Sequence, residues 1–335
     1  MQKIGKLETF STNTEAANQN ITTSQNEVTY SPSQRLIQFN KAFPKTGKLV
    51  NLERAKCSRE EYPNYVFMPA ESWIKIIQKY SDKSIVPIDD IDIRTFSTLV
   101  TWQYTKGVYE FPESSLSEHF HSPSNGMITV DRFKTLPEWS IYVKNSTNAY
   151  ELDGFFVSLD YVNQSKLTYI RIILNSQYGL QPITIQLGNW KIEDALRCLL
   201  KNQLLSNPLK YEKLYRDLLA ITKFCISIIV ELCSDDNIIK SQQNESNSPI
   251  RPTPKKVKQG LKLFPATQTK VWSVENLKSQ KVIKVRDYQG GTHKSPKPHP
   301  RRGHRRNQWV GAKGTPERKQ IKIWIDPKFI NGVAA

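Results

Sequence analysis

Residues 153–188 read DGFFVSLDYVNQSKLTYIRIILNSQYGLQPITIQLG, and they contain three short runs of β-branched and aromatic residues separated by polar residues and glycine. Such runs are typical of β-strands, and the short connections between them suit hairpins. A fourth run, EWSIYVKN (138–145), lies just upstream. Together the four runs predict an antiparallel meander.

Upstream of the meander, apolar residues recur at helical spacing. The pattern predicts a short helix capped by Ser31 or Ser33, a second helix at 70–80 and a third at about 90–106. Gly107 follows the third segment and is expected to end that helix. Several helices should therefore precede the sheet in the chain.

Downstream of the meander, two further helices are predicted at 191–205 and 211–233. The second is apolar around much of its circumference, as expected for a helix packed in a core. The predicted fold class is therefore α+β: an antiparallel sheet of about four strands, several helices including one long buried helix, and a small basic C-terminal module.

The composition of the chain predicts four segments. Residues 1–30 are polar and predict a flexible tail, and 31–240 form the mixed α+β domain. Residues 241–263 include SQQNESNSPIRPTPKK, which has three prolines and no periodicity and indicates a linker. Residues 264–335 form the basic module, in which short strands or a helical turn are expected at 271–277, 281–288 and 321–327.

The positive charge of the protein is concentrated at its C-terminal end. From Arg251 onwards there are 21 Lys and Arg and four acids, and the difference equals the formal charge of +17 for the whole chain. Residues 294–306 read KSPKPHPRRGHRR, and no acid lies between Tyr288 and Pro316. This field is not cancelled locally and indicates an anionic partner.

The basic block predicts contact with RNA or with the ribosome. Arginine offers a planar fork of donors that suits phosphate, and the neighbouring tryptophan can stack on a base or lie beneath a guanidinium. An alternative is a solvated basic surface, or a tail docked on acids of the first domain. The predicted contact residues are Lys294, Lys297, His299, Arg301, Arg302, His304, Arg305, Arg306 and Trp309.

Neither a metal site nor an enzyme is predicted. The histidines of the basic block lack nearby cysteines and carboxylates, and His119 and His121 with Glu118 form only a nonspecific H-x-H pattern. No phosphate-binding loop, nucleophile elbow or kinase motif occurs. We expect no cofactor, although His304 remains an alternative as the acid or base of a ribonuclease.

Aromatic residues in the first domain allow two interpretations. They can line a peptide-binding groove, or they can form the core, which their spacing favours. The residues concerned are Trp102, Tyr104, Tyr109, Trp139, Phe155, Phe156 and Trp190.

Cysteine usage and hydropathy predict a cytoplasmic protein without a membrane anchor. The four cysteines form no C-x-x-C pair and are expected to be reduced. The N-terminus lacks the apolar segment of a signal peptide. The most apolar stretch, 218–233, contains Lys223 and Glu231 and is shorter than a bilayer span.

The C-terminal run KPHPRRGHRRNQWVGAKGTPERKQIKIWIDPKFING (297–332) resembles the type V-A anti-CRISPR family known as V-A two. Further similar motifs, in the same order, are QFNKAF (38–43), TWQYTKGVYEF (101–111), LPEWSIYV (136–143) and DGFFVSLDYV (153–162). Matching positions place His299, Arg301, Arg302, Gly303, His304, Trp309, Gly311 and Trp324 in the family pattern. Gly303, Gly311, Trp324 and Trp139 are expected to have structural roles.

The resemblance implies a function in the evasion of host defence. Members of that family lower the amount of the type V-A CRISPR effector by recognising its nascent N-terminal polypeptide, after which the mRNA is degraded. They are carried by phages, plasmids and other mobile elements. The implied partners are that polypeptide and, through the basic block, the ribosome or the mRNA, with the chain acting as a noncatalytic adaptor. The alternatives are an RNA- or DNA-binding accessory protein and a histidine-dependent ribonuclease.

Overall fold

A computed structural model describes most of the chain after residue 29. The described residues are 30–57, 61–81, 92–123, 125–201, 208–234, 237–242, 248–258, 260–276, 299–301, 304–311, 315, 318–325 and 328–330. The predicted tail, except for Tyr30, and the strand expected at 281–288 lie outside them.

Eight α-helices form within these ranges. Local capping explains where two of them begin: the Ser31 hydroxyl accepts a hydrogen bond from the Gln34 amide at 3.2 Å, and the Asp92 carboxylate caps the fourth helix. The helices are α1 (Pro32–Ala42), α2 (Thr46–Lys56), α3 (Ala70–Ser81), α4 (Ile93–Trp102), α5 (Glu113–His121), α6 (Val130–Phe133), α7 (Ile192–Leu199) and α8 (Pro208–Leu232). The sequence did not predict α2, α5 or α6.

The strands form one large sheet and three two-stranded sheets within the described part of the chain. The large sheet has the order β5-β4-β3-β2-β1-β9-β6, and the small sheets pair β7 with β8, β10 with β13 and β11 with β12. The strands are β1 (Gly107–Glu110), β2 (Ser140–Lys144), β3 (Leu152–Val162), β4 (Leu167–Ser176), β5 (Gly179–Gln186), β6 (Asn237–Ser241), β7 (Lys255–Val257), β8 (Gly260–Lys262), β9 (Lys270–Asn276), β10 (His299–Arg301), β11 (His304–Val310), β12 (Lys319–Ile325) and β13 (Lys328–Ile330).

The α+β class is confirmed, but the prediction of about four antiparallel strands is wrong. Strands β2 to β5 form the expected meander. Strand β1 extends the meander by pairing in parallel with β2, and β9 pairs in parallel with β1. Strand β6 pairs antiparallel with β9 and forms the edge of the sheet. These additions join residues far apart in the chain, which local alternation does not reveal.

Helices cover both faces of the large sheet, and each face has its own core cluster. Neighbouring residues of β3 show the division: Phe155 and Val157 lie in the cluster beneath α5, α7 and α8, whereas Phe156 lies in the cluster beneath α1 to α4. The two buried faces explain the nearly continuous apolar runs of β3 and β4. The long α8 packs in the core as predicted.

The aromatic side chains of the first domain are core residues, as their spacing favoured. Trp102, Tyr104 and Tyr109 are almost completely buried, and so are Phe155 and Phe156. Trp139 is 8% exposed, and Trp190 is partly buried at the edge of a core cluster.

The segment predicted to be a linker packs against the body of the protein. The Arg251 guanidinium donates to the carbonyl oxygen of Leu136 at 2.6 Å, and Leu263 is 2% exposed in a core cluster. The following strand β9 lies in the large sheet, although residues from 264 onwards were assigned to the basic module. The first domain and the start of that module therefore share one sheet.

None of the helices in the described ranges combines the length and the apolar character needed to span a bilayer.

Candidate functional site

The basic C-terminal segment folds partly into the β11–β12 hairpin. Its seven paired positions run from His304 opposite Ile325 to Val310 opposite Lys319. The sequence predicted the second strand, at 321–327, and the pairing gives the basic residues of the first strand a regular backbone as well. The hairpin therefore displays its side chains at fixed spacing instead of in a loose tail.

Trp309 forms an exposed aromatic platform on this hairpin. Its side chain is 53% exposed, and the Arg318 guanidinium lies 4.8 Å from the centre of its ring. This distance is within the range of a cation–π interaction. Of the two roles predicted for Trp309, the structure shows the position beneath a guanidinium. The sequence did not single out Arg318, because only the hairpin register brings it to Trp309.

Arg306 lies on the opposite face of β11. It is exposed and pairs across the hairpin with Ile323, which is half-buried. Because side chains alternate along a strand, Arg306 and Trp309 cannot contact one flat ligand side by side. Gly311 ends the strand with a φ of 101°, a conformation that favours glycine. The hairpin therefore offers a cation on one face and a stacked Arg–Trp pair on the other.

The other predicted contact positions are placed only by strand pairing or lie outside the described residues. His299 and Arg301 lie in β10 opposite Ile330 and Lys328. His304 and Arg305 lie in β11, with Arg305 opposite Trp324. Lys294, Lys297, Arg302 and Gly303 lie outside the described residues. Where it is described, the predicted set is distributed over two two-stranded sheets.

Trp139, which the sequence assigned a structural role, packs in the core beneath α1 to α4. Its indole nitrogen donates to the carbonyl oxygen of Asn64 at 3.3 Å, and its ring contacts Phe67 edge to face at 5.2 Å. The Arg54 guanidinium lies 4.9 Å from the centre of the same ring. These contacts hold the start of β2 against the loop before α3.

A buried Ser–His–Glu cluster links α5 to α8. The Nδ1 atom of His119 lies 3.0 Å from the Ser227 hydroxyl, and its Nε2 atom is hydrogen-bonded to the Glu231 carboxylate. His119 is 1% exposed, and Ser227 is completely buried. The cluster has the residue types of a hydrolytic triad, but its serine has no surface exposed to solvent. It holds the two helices together.

The histidine pair of α5 is therefore divided between two environments. His119 points into the core, whereas His121 is exposed beside Phe120, with ring centres 5.2 Å apart. Across the described residues, no group of three potential metal ligands forms. Packing therefore accounts for His119, whereas His121 lies at the surface.

A second buried polar cluster lies where β1 meets β2 and β9. Glu138 is 2% exposed, and burial raises its pKa to about 8, although Lys270, Tyr109 and Thr105 act in the opposite direction. The indole nitrogen of Trp272 is buried here without a hydrogen-bond partner among the described residues. A neutral Glu138 is the form that burial favours here. Neither charge patterning nor spacing pointed to this residue.

Comparison with known proteins agrees with the resemblance found in the sequence. The model of the anti-CRISPR type V subtype A2 family (AcrVA2-like) matches residues 109–332, well over half of the chain. The solved crystal structure of AcrVA2 has a similar fold, with a TM-score of 0.54, 17% sequence identity, and coverage of 90% of this chain and 100% of that chain. A search of curated proteins finds no match. The matched range includes the meander, the Ser–His–Glu cluster, Glu138 and the basic hairpin, and the chain belongs to the anti-CRISPR type V subtype A2 family.

Proposed function

We propose that this anti-CRISPR protein lowers the amount of a type V-A CRISPR effector by recognising its N-terminal polypeptide during translation, so that the mRNA is lost. The observation that carries the proposal is the family match over residues 109–332. The protein acts in the bacterial cytoplasm as an adaptor and performs no chemistry itself. The inaccessible Ser227 supports this role, because the triad-like cluster has no route to a substrate.

The distribution of charge supports a division of labour in this mechanism. The first 250 residues carry 27 bases and 27 acids, whereas the remainder carries the whole net charge. A neutral body suits recognition of a polypeptide, and a cationic region suits ribosomal RNA or mRNA. We assign the peptide to the body and RNA or the ribosome to the basic region, with Trp309 and Arg306 among the contacts.

The edges of the large sheet indicate where the peptide binds. An extended peptide can add to an edge strand through main-chain hydrogen bonds. Pro182 in edge strand β5 lacks the amide proton that an added strand would need. We therefore assign the peptide to the opposite edge, strand β6. A photoreactive effector peptide should label residues near Asn237–Ser241, and labelling confined to β5 would disprove this assignment.

A reporter experiment tests the central mechanism. The first codons of a type V-A effector are fused to a reporter, and the reporter mRNA is measured with and without this protein. Synonymous recoding should leave the loss of mRNA intact, because the peptide is read, whereas a frameshift should abolish it. If recoding abolishes the loss while the frameshift does not, the mRNA itself is recognised and the proposal is wrong.

The alternative of an RNA-binding accessory protein is favoured by the exposed Trp309 ring and the Arg318 guanidinium beside it. That function requires salt-dependent RNA binding and no dependence on the encoded peptide.

Changing Arg301, Arg302, Arg305 and Arg306 to Ala should weaken ribosome association on sucrose gradients and leave peptide binding intact under our proposal. A ribonuclease would instead cleave naked RNA and lose that activity on His304→Ala.

A further inference from the structure

The short hairpin β7–β8 presents a second group of cations, separate in sequence from the arginine-rich block. Lys255, Lys256 and Lys258 are all exposed. No Asp or Glu occurs in the sequence between Glu245 and Glu275, so the hairpin has no acidic neighbours along the chain. The positive field of these lysines is therefore not compensated by their own segment.

Contacts on both sides of the hairpin hold it in place. Before it, the Arg251 guanidinium donates to the carbonyl oxygens of Leu136 and Lys134, at 2.6 and 3.2 Å. After it, the Asn51 amide pairs with the backbone of the buried Leu263, with distances of 2.8 and 3.0 Å. The hairpin is thus a fixed projection of the body, and its lysines have a defined position.

The strand pairing brings cations together within the hairpin. Lys255 lies directly opposite Lys262, and Lys256 and Lys258 follow in the same short segment. Three exposed lysines at fixed positions, with no acid in their own segment, suit an anionic ligand that contacts several cations.

We propose that the β7–β8 hairpin binds the phosphate backbone of RNA, independently of peptide recognition. Lysine acts on phosphate as a point charge and reads no base sequence, which suits a contact that must accept many sequences. Phe264, 51% exposed just after the hairpin, offers a ring on which an unpaired base can stack. The site is additional to the Arg306 and Trp309 hairpin.

The distribution of side chains favours RNA over a membrane surface. Lys256 lies directly opposite Leu261, which is 64% exposed, so a cation and an apolar side chain share one face. Lys255 lies on the other face because side chains alternate along the strand. A bilayer surface requires an apolar face separated from a cationic one. A flexible RNA strand can follow cations on both faces.

Anisotropy measurements with a labelled, mixed-sequence single-stranded RNA test the proposal on the full chain. The test variant carries Lys255→Gln, Lys256→Gln and Lys258→Gln. The control carries the same charge change on other exposed lysines, Lys41→Gln, Lys48→Gln and Lys75→Gln. With a slope of about 0.7 per phosphate contact, three lost contacts lower affinity about 100-fold at about 0.1 M salt and reduce the salt slope by about 2.

A large loss of RNA affinity in the test variant with a small loss in the control supports the hairpin site. Equal losses in both variants, or an unchanged salt slope in the test variant, overturn it. Loss of binding to phosphatidylserine vesicles with unchanged RNA binding also overturns it and indicates a membrane contact. Unchanged thermal unfolding midpoints show that the variants fold, and failure of the reporter experiment leaves this test intact.

Discussion

The carboxyl group of Glu138 is buried beside Gly107, in contact with the first residue of β1. A Cβ atom on Gly107 would lie 1.9 Å from Oε2 of Glu138, so glycine is the residue that leaves room for this side chain. Burial of the acid therefore depends on one missing methyl group in the adjacent strand. Glu138, the acid of the motif LPEWSIYV, therefore lies in the core and not on the surface.

Glu138 should make stability depend on pH. Its pKa rises from an ordinary 4.5 to about 8 in the folded protein because of burial. The folded state therefore binds more protons than the unfolded state between these values, and stability falls as pH rises through this window. The slope of this contribution is about 1.4 kcal/mol per pH unit at most.

Glu138→Gln should remove this contribution, so that the variant gains stability relative to the wild type as pH rises from 4.5 to about 8. Urea unfolding at several pH values measures the difference. Glu113→Gln, at an exposed position of α5, serves as the control and should show no such trend. A constant difference between Glu138→Gln and the wild type would contradict the assignment.

Gly154 is required by close backbone approach within the DGFFVSLDYV motif. A Cβ atom there would lie 2.3 Å from the carbonyl oxygen of Val143, which is held in the β2–β3 ladder. Gly154→Ala should cost about 3 kcal/mol, because neither strand can move away. Gly47→Ala, in α2, is the comparison: the nearest atom to a Cβ there is the Tyr104 hydroxyl oxygen at 3.8 Å, an ordinary contact distance, so this change should cost far less. Equal denaturation midpoints for the two variants would refute the steric argument.

Among the elements, α4 is linked to the sheet through the arginine of a buried ion pair. The Arg171 guanidinium in β4 donates to Asp160 in β3 and to the Ser97 hydroxyl in α4. Burial raises the pKa of Asp160, although Arg171 opposes the shift. The second hydrogen-bonded link in this layer joins Thr98 to Ser158 at 3.0 Å. These polar contacts specify how α4 lies on the strands.

Asp160→Asn should destabilise the fold by about 3–5 kcal/mol, because it leaves the Arg171 charge buried without its counterion. The double change Asp160→Leu and Arg171→Met should recover most of this loss, since it removes both charges. Asp131→Asn is the control, because the Asp131–Lys134 pair is exposed and is worth less than about 1 kcal/mol. Chemical denaturation of the four proteins gives these values, and a double variant as unstable as Asp160→Asn would argue against an electrostatic cause.

At the level of the whole molecule, strand β9 makes the body and the start of the basic region interdependent. It lies between β1 and β6, and it buries Trp272 and Val274 at 1% and 2% exposure. Loss of such side chains costs several kcal/mol each, against a total stability of about 5–15 kcal/mol. The large sheet is therefore not complete until residue 276 has been added.

A chain ended after Phe264 should fail to fold cooperatively, whereas one ended after Asn276 should fold and lack the two small sheets formed by β10 to β13. Thermal unfolding followed by near-ultraviolet circular dichroism distinguishes them. If both truncated proteins melt cooperatively at the same temperature, β9 is dispensable and the body folds without it. The longer truncation also gives a folded protein in which peptide binding can be measured without Arg306 and Trp309.

Several parts of this structure followed from local sequence patterns. The β2 to β5 meander, the buried α8 and the cap at Ser31 depend on neighbouring residues, so side-chain alternation and capping residues predicted them. The same holds for the concentration of charge after Arg251. Of the site, Trp309 was identified, but its partner Arg318 was not, because hairpin register is needed to bring them together.

Nonlocal pairing accounts for what the sequence did not predict. The residues of β1 and β9 are more than 150 positions apart, and the sequence of neither strand indicates that it pairs with the other. The linker prediction for 241–263 was based on prolines and low periodicity, which are local properties of the chain. They do not reveal the contacts of Arg251 and Leu263 that hold this segment against the body. Burial of Glu138 likewise depends on strands from three parts of the chain.

The amino-acid pattern was sufficient for the α+β class, the basic C-terminal region and the family, because these depend on composition, periodicity and ordered motifs. Only the tertiary structure decided the seven-stranded mixed sheet, the contacts of Arg251 and Leu263 with the body, and the position of the β7–β8 hairpin. The physical reason is that parallel strand pairing and burial depend on contacts between segments that are distant in the chain. A local sequence pattern does not show which distant segments will make these contacts.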